Sequence, residues 1–165
     1  MTRHAGNEPA ETQPQTPLEE LLYQRGIDKA DAVGVVVDDD TATRTFGGRG
    51  LTRSFGIDIQ TAKDGKQGLA LIQSLAGRVA FVVTDVDMPE MIGPDMLKAA
   101  HGKGLLDNVP AVVMTGKIIE NDKEIQEVTA GGIAQEVLEK PFDPDQLQAA
   151  IQHACQKVLD RMGKL

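Results

Sequence analysis

Acidic, hydroxyl and amine side chains follow four short apolar runs of this chain, at the point where each run ends. These residues are Asp38, Asp39 and Asp40 after the first run, Asp85 after the second, Thr115 after the third and Lys140 after the fourth. Each run predicts a short buried strand. In an open parallel α/β sheet, ligands bind where the strands end at their carboxyl edge. We therefore expect carboxylates, one hydroxyl and one ammonium to converge on one pocket, where they suit a divalent metal and a phosphoryl group.

The acidic run at 38–40 allows two interpretations. Adjacent carboxylates repel and raise one another's pKa, and an acidic run is usually a solvated turn. This run, however, directly follows a buried strand and faces a further acid, Asp85. A hard divalent cation would relieve the repulsion, and Mg²⁺ prefers oxygen ligands while keeping several waters. Two carboxylates plus a phosphoryl oxygen would suit it.

Asp85 can act as a nucleophile in this setting. A carboxylate can attack phosphorus and form an acyl phosphate, provided that it stays ionised. Thr115 could hydrogen-bond one phosphoryl oxygen, and Lys140 could pair with another. Alone, a Thr after a strand is usually a cap and a Lys before Pro-Phe usually faces solvent. The interpretation depends on finding all of these groups at consecutive strand ends.

Composition narrows the class of protein. The 165 residues carry a net charge of −8, which argues against general nucleic-acid binding and against docking on anionic membranes. The single cysteine, Cys155, excludes an intrachain disulfide and indicates a reducing compartment. The first residues of the sequence do not resemble a signal peptide, and the longest apolar runs have the length of a strand, not of a membrane span. We expect a soluble, cytoplasmic protein.

Periodicity predicts an N-terminal extension, residues 1–31, and one domain over residues 32–165. Residues 1 to about 15 should be disordered by composition. A capping box then predicts a short helix from Pro17 to about Arg25, which either packs on the main domain or contacts a partner or second copy. Strands are predicted at 33–37, 58–62, 79–84, 111–114 and 135–138, and helices at about 41–54, 64–76, 94–100, 121–130 and 143–162. This alternation predicts an α/β fold with a doubly wound, five-stranded parallel sheet and helices on both faces.

Four ordered motifs resemble the receiver domain of two-component response regulators, over about residues 33–160. They are the acidic signature Asp38–Asp40, the phosphoacceptor loop Asp85-Val86-Asp87-Met88-Pro89-Glu90-Met91-Ile92-Gly93, the switch residues Met114-Thr115-Gly116 and the signature Lys140-Pro141-Phe142. Ala62-Lys63-Asp64-Gly65 also resembles the start of the family's second helix. The resemblance implies the flavodoxin-like receiver fold.

The resemblance also implies roles for the site residues. Asp85 would accept phosphate from a histidine kinase or a phosphotransfer protein. Thr115 would reorient toward the phosphoryl group, Lys140 would ion-pair with it, and the peptide bond before Pro141 would be cis. Mg²⁺ would be held by a set of oxygens from Asp39, Asp85 and the main-chain carbonyl of Asp87, with Asp38 contributing through water.

As a stand-alone receiver of bacterial type, the chain would not be an enzyme beyond promoting its own phosphorylation and dephosphorylation. Its output would be binding to a downstream protein target or onward phosphate relay, with no direct DNA or membrane binding. The fourth and fifth helices of the receiver domain form a candidate homodimer face by resemblance.

Four departures from the family pattern affect these expectations. Ile92 replaces the usual Asp of the phosphoacceptor loop and so removes a loop-bracing contact. Val137 stands where the family usually has Tyr or Phe, so the usual aromatic switch is in doubt. The stretch between Thr115 and Lys140 is longer than common, and Gly47, Gly48 and Gly50 are unusual in the first receiver helix, which they weaken.

Asp87 lies two residues after Asp85, and Lys117 lies two residues after Thr115. In the family such positions border the attacking water. We hypothesise that these two side chains pair across the site entrance and shield the acyl phosphate.

The same residues also allow two other functions. A haloacid-dehalogenase-type phosphatase also uses Asp-x-Asp, Thr and Lys in this order, but here an acid cluster precedes the nucleophile and Met88 is unusual for that family. A receiver fold that binds partners without phosphorylation is the other alternative, and the missing aromatic at Val137 motivates it.

Overall fold

The computed structural model describes residues 12–117 and 119–163. The prediction of disorder for residues 1 to about 15 falls mainly on residues 1–11, which lie outside the described residues. Residues 12–15 precede the first helix and belong to no helix or strand.

The described residues form six α-helices and five strands that alternate after the first helix. In chain order they are α1 (Pro17–Gln24), β1 (Val33–Val37), α2 (Thr41–Phe55), β2 (Asp58–Ala62), α3 (Gly65–Ser74), β3 (Val79–Asp85), α4 (Gly93–Gly102), β4 (Ala111–Thr115), α5 (Lys123–Ala130), β5 (Glu136–Glu139) and α6 (Pro144–Met162). A 3-10 turn, Ile119–Asn121, precedes α5. Among these helices, none combines the length and the apolar character needed to cross a membrane.

The strands form one parallel sheet in the order β2-β1-β3-β4-β5. Two apolar cores cover it, one on each face. One core holds buried residues of α3, α4 and α5, and the other holds those of α1, α2 and α6. Since both faces are covered, β1 and β4 are buried along their whole lengths. The predicted doubly wound, five-stranded sheet is confirmed.

Three strands end one residue later than predicted, and the helix predicted at 121–130 begins two residues later. β3 continues through Asp85 and β4 through Thr115, so these functional side chains belong to the strands themselves. The helix predicted at 121–130 is α5, which begins at Lys123 because Asp122 caps it by accepting a hydrogen bond from the Ile125 N–H at 3.0 Å. α2 runs unbroken through its glycines between an Asp40 cap and a left-handed Gly56.

α1 packs into the core on the α2–α6 side. Its residues Leu18, Leu21 and Leu22 are buried against that core. The Leu18 N–H donates to Gln152 Oε1 of α6 at 2.9 Å. Arg25, just after the helix, donates to the carbonyl of Val79 at 2.8 Å, at the start of β3. The helix is therefore tied both to α6 and to the strand that ends at Asp85.

Because Leu21 is fully buried, we expect the Leu21→Ala variant to be less stable than the wild type by about 2–5 kcal/mol. Urea denaturation followed by circular dichroism measures this difference. Tyr23→Ala is the matched control on the same helix, since Tyr23 is 65% exposed and should change stability by less than about 0.5 kcal/mol. Equal, small effects of both changes would show that α1 does not contribute to the core.

Candidate functional site

The sheet brings the predicted site residues to one edge because neighbouring strands are parallel and in register. Val37 of β1 pairs with Thr84 of β3, so Asp38 and Asp85 follow at the same height. Asp85 in turn pairs with Met114, one residue before Thr115. On the far side, Thr115 pairs with Glu139, one residue before Lys140. The four functional groups thus lie at consecutive carboxyl ends.

Lys140 is the counter-ion of two carboxylates at this edge. Its Nζ lies 3.2 Å from Asp38 Oδ2 and 3.3 Å from Asp85 Oδ1. The Asp38 side chain is fully buried, whereas that of Lys140 is 31% exposed. A buried carboxylate without a partner is costly, so this contact both neutralises Asp38 and fixes the lysine beside Asp85. The peptide bond between Lys140 and Pro141 is cis, as the resemblance implied.

Asp38, Asp39 and Asp85 form a compact acidic cluster. Each offers a carboxylate oxygen, and these oxygens all lie within 4.8 Å of one another. Asp38 is buried, Asp85 is half-buried and Asp39 is exposed, so the cluster opens toward solvent on one side. Asp40 does not join it, since its carboxylate caps α2 by accepting from the Thr43 N–H at 2.9 Å. Hard oxygen donors at this spacing fit Mg²⁺.

The electrostatics of Asp85 reflect this crowding. Burial raises the pKa of its carboxyl, and the neighbouring Asp38 adds to that effect, while Lys140 and the Val86 N–H oppose it. Burial disfavours the charged form of Lys140, but Asp38 and Asp85 outweigh burial and raise the pKa of its ammonium. The lysine therefore stays charged, and further positive charge near Asp85 would favour the ionised, nucleophilic carboxylate.

Thr115 lies at the same edge and is buried. Its Oγ1 accepts a hydrogen bond from the Lys117 N–H at 3.0 Å, and its carbonyl accepts one from the Lys140 N–H at 2.8 Å. Among the described residues, no hydrogen bond joins its hydroxyl to Asp85. The structure therefore places Thr115 beside Lys140 with its hydroxyl engaged by its own loop.

The loop from Asp85 to Gly93 folds tightly back on itself. The Gly93 N–H donates to the Val86 carbonyl at 2.9 Å, and the Thr84 hydroxyl donates to the Asp85 carbonyl at 2.9 Å. A Cβ at position 93 would overlap the Asp85 carbonyl oxygen and lie 2.9 Å from Thr84 Oγ1. Ile92 is the N-cap residue of α4, and its apolar side chain makes no capping hydrogen bond. The sequence marks Gly93 only as a motif glycine, and its steric role appears only in the fold.

The predicted pair of Asp87 and Lys117 is present at the entrance of the site. Lys117 Nζ lies 3.0 Å from Asp87 Oδ2, and both side chains are more than half exposed. The hydrogen bond to Asp87 raises the pKa of the Lys117 ammonium. Val137, in contrast, is half-buried and packs against the core on the α3–α5 side.

A sequence profile described as the response regulator receiver domain matches residues 35–152. The chain is 28% identical over 135 residues to the two-component response regulator ORR5 of Oryza sativa subsp. japonica. The matched region covers 82% of this chain and 95% of that protein. It is 30% identical over 125 residues to the chemotaxis protein CheY of Pseudomonas aeruginosa, which covers 75% of this chain and 97% of that protein. Among solved structures, chemotaxis protein CheY4 of Vibrio cholerae is similar, with a TM-score of 0.65 at 30% identity over 74% of this chain and 98% of that one.

We expect Gly93→Ala to destabilise the protein by about 1–3 kcal/mol or more, because the methyl group would overlap the backbone of Asp85. The matched control is Gly102→Ala at the other end of the same helix, where an added Cβ meets no atom within 4 Å. That change should be neutral or stabilise by up to about 1 kcal/mol. Thermal unfolding measures both, and a harmless Gly93→Ala would contradict the close approach.

Proposed function

This chain belongs to the response regulator receiver domain family, and on that premise we propose that Asp85 takes a phosphoryl group from a histidine kinase or phosphotransfer protein. In this step a bond forms between an Asp85 carboxylate oxygen and phosphorus. The bond between phosphorus and the donor imidazole nitrogen breaks, and its electron pair returns to that nitrogen. The observation that carries the proposal is the ion pair of Lys140 with Asp85 at 3.3 Å, beside the acidic cluster.

The residues around Asp85 have separate roles in this proposal. Lys140, already next to the Asp85 carboxylate, would pair with an oxygen of the transferred phosphoryl group. Thr115 would reorient so that its hydroxyl donates a hydrogen bond to a second oxygen. Both contacts would favour the charge that develops during transfer.

The acidic cluster is a suitable Mg²⁺ site because three carboxylates face a single ammonium and leave an excess of negative charge. Asp39, Asp85 and the main-chain carbonyl of Asp87 would hold the ion, and Asp38 would contribute through water. When bound, Mg²⁺ would neutralise phosphoryl charge and orient the donor.

The output of the phosphorylated protein would be altered binding to a downstream protein. Val137 packs against the core on the α3–α5 side and lacks the aromatic ring that the family usually has at this position. The conformational change caused by phosphorylation would therefore pass through the loop that carries Thr115 and Lys117. The surface of α5 and α6 is the proposed homodimer face. If Val137 instead disconnects the site from that surface, the chain would bind partners independently of phosphorylation.

Incubation with acetyl phosphate and Mg²⁺, followed by intact mass spectrometry, tests the phosphoacceptor. We expect a species heavier by about 80 Da, one phosphoryl group, in the wild type and none in Asp85→Asn. Asp87→Asn is the matched control because it leaves the main-chain carbonyl in place, and it should still be labelled.

An unlabelled wild type would favour the phosphorylation-independent interaction module. Continuous turnover of a phosphomonoester would favour the phosphatase alternative. Equal labelling of Asp85→Asn and the wild type would place the phosphoryl group elsewhere.

We also expect Asp87→Ala and Lys117→Ala each to shorten the lifetime of the phosphorylated protein, because the pair that shields the site entrance is lost. The change should be less than about ten-fold, as for any exposed ion pair. Decay of the heavier species over time gives the lifetime. Lys123→Ala, at an exposed lysine of α5, is the control that should leave it unchanged; unchanged lifetimes in all variants would reject the shielding role.

A further inference from the structure

The acidic loop at residues 38–40 is held by hydrogen bonds on both sides of Asp39. The Asp38 N–H donates to the Ala62 carbonyl at 3.1 Å, and the Asp40 N–H donates to Asp38 Oδ1 at 2.9 Å. A further bond comes from α2, where Arg44 Nη1 donates to the Asp38 carbonyl at 2.7 Å. A side chain of the helix that follows the loop thus binds the backbone of the loop itself.

The carboxylate of Asp39 is not held in this way. It is exposed, and no side chain or backbone N–H of the described residues donates a hydrogen bond to it. Its place in the acidic cluster therefore depends on the backbone that carries it. A peptide unit is planar, so the contact that anchors the Asp38 carbonyl also fixes the Asp39 nitrogen in the same plane. Arg44 thereby orients the residue that carries the unheld carboxylate.

Arg44 reaches the Asp38 carbonyl because of its place in α2. Helical side chains lean toward the helix N-terminus, so a long side chain at the fourth residue of α2 extends back toward the preceding loop. Its Nη2 also donates to Thr41 Oγ1 at 3.2 Å, three residues earlier on the same face of the helix. The planar guanidinium makes both contacts at once, whereas a lysine has a single nitrogen and cannot reproduce this fork.

The charge of Arg44, in contrast, is unfavourably placed. A cation near the N-terminus of a helix opposes the helix dipole. None of the ion pairs among the described residues includes Arg44, whose guanidinium donates to a carbonyl and a hydroxyl instead. Its positive charge would also repel an Mg²⁺ ion at the acidic cluster. The contribution of Arg44 to the loop is therefore its two hydrogen bonds and not its charge.

We propose that Arg44 is a positioning residue for the acidic cluster, since it holds the peptide unit between Asp38 and Asp39 and so keeps the Asp39 carboxylate in place for Mg²⁺. This role rests on the proposed function, in which the cluster binds that ion. The two ways in which an arginine could act here differ in sign. If Arg44 acted through its charge alone, removing the charge would strengthen Mg²⁺ binding. As a positioning residue, its removal weakens Mg²⁺ binding.

Amide chemical shifts followed during a Mg²⁺ titration, without phosphodonor, give the dissociation constant of each variant. Loss of a group that orients a metal ligand commonly lowers metal affinity by about 10- to 100-fold. Because other bonds also hold this loop, we expect Arg44→Gln to raise the Mg²⁺ dissociation constant by about three- to ten-fold. Arg44→Lys, which keeps the charge and loses the fork, should raise it as well.

The matched control is Arg49→Gln, at an exposed arginine of the same helix. It removes the same charge from α2 and leaves the contacts of the loop intact. The Mg²⁺ dissociation constant of this variant should be unchanged or slightly lower than that of the wild type. An unchanged or lower constant in Arg44→Gln would overturn the proposal. Should Arg44→Gln not fold, Arg44→Lys provides the same comparison.

Hydrogen exchange of the Asp40 amide, measured without metal, is a second readout. This N–H is bonded to Asp38 Oδ1, so a loosened loop should exchange its proton faster in Arg44→Gln than in the wild type or in Arg49→Gln. Faster exchange with an unchanged dissociation constant would mean that Arg44 only stabilises the loop, and would overturn the proposal. A raised constant with unchanged exchange would also overturn it, because the loop would then not depend on Arg44.

These outcomes are separate from those of the phosphoacceptor experiment. A wild type that is labelled at Asp85, with normal Mg²⁺ binding in Arg44→Gln, would uphold the proposed function and reject the role of Arg44 alone. Weakened Mg²⁺ binding in Arg44→Gln with an unlabelled wild type would do the reverse. A wild type without saturable Mg²⁺ binding would reject both the metal site and the role of Arg44. If both proposals hold, Arg44→Gln should be labelled nearly as fast as the wild type at saturating Mg²⁺, because Arg44 acts on the ion and not on Asp85.

Discussion

Three carboxylates and one ammonium share a single edge of the sheet, and this imbalance of charge governs the site. Asp38 is completely buried, so it requires a partner, and Lys140 supplies it at 3.2 Å. The same ammonium reaches Asp85 at 3.3 Å, so one side chain serves two acids. Asp39 adds a third carboxylate within 4.8 Å and leaves the cluster short of positive charge. A divalent cation would supply that charge, and a phosphoryl group would in turn find a lysine already in place.

The fold makes this arrangement possible because the backbone of the sheet already brings the functional strand ends together. Parallel register sets β1, β3, β4 and β5 to end together, and two apolar cores hold the sheet from both sides. The loop after Asp85 can then turn sharply because Gly93 has no side chain to collide with the Asp85 carbonyl. α1 strengthens the far end of the same strand through the bond from Arg25 to Val79. Backbone contacts therefore fix both ends of β3, one at Asp85 itself and one at Val79.

Much of this could be predicted from the sequence, because short apolar runs that end in functional groups have one simple solution, a parallel sheet. The strand ends and the acidic cluster were accessible in that way, whereas the pair of Asp87 and Lys117 followed from the resemblance to the receiver family. The ion pair of Lys140 with Asp38 was not, since it joins residues 102 positions apart through side-chain geometry. The start of α5 at Lys123, rather than at 121, depended on a single cap at Asp122. The glycines of α2 indicated only a weak helix, whereas its Asp40 cap and the left-handed Gly56 bound 15 unbroken helical residues.

The acidic cluster is central to the site because it would bind Mg²⁺. Thermal unfolding during a Mg²⁺ titration tests this binding most directly. In the wild type, the melting temperature should rise with Mg²⁺ and then saturate. Asp39→Asn should melt higher than the wild type without metal, because repulsion is relieved, and should respond less to Mg²⁺. Asp95→Asn, at an exposed position of α4, should behave as the wild type does. An equal rise in all three proteins would contradict the account.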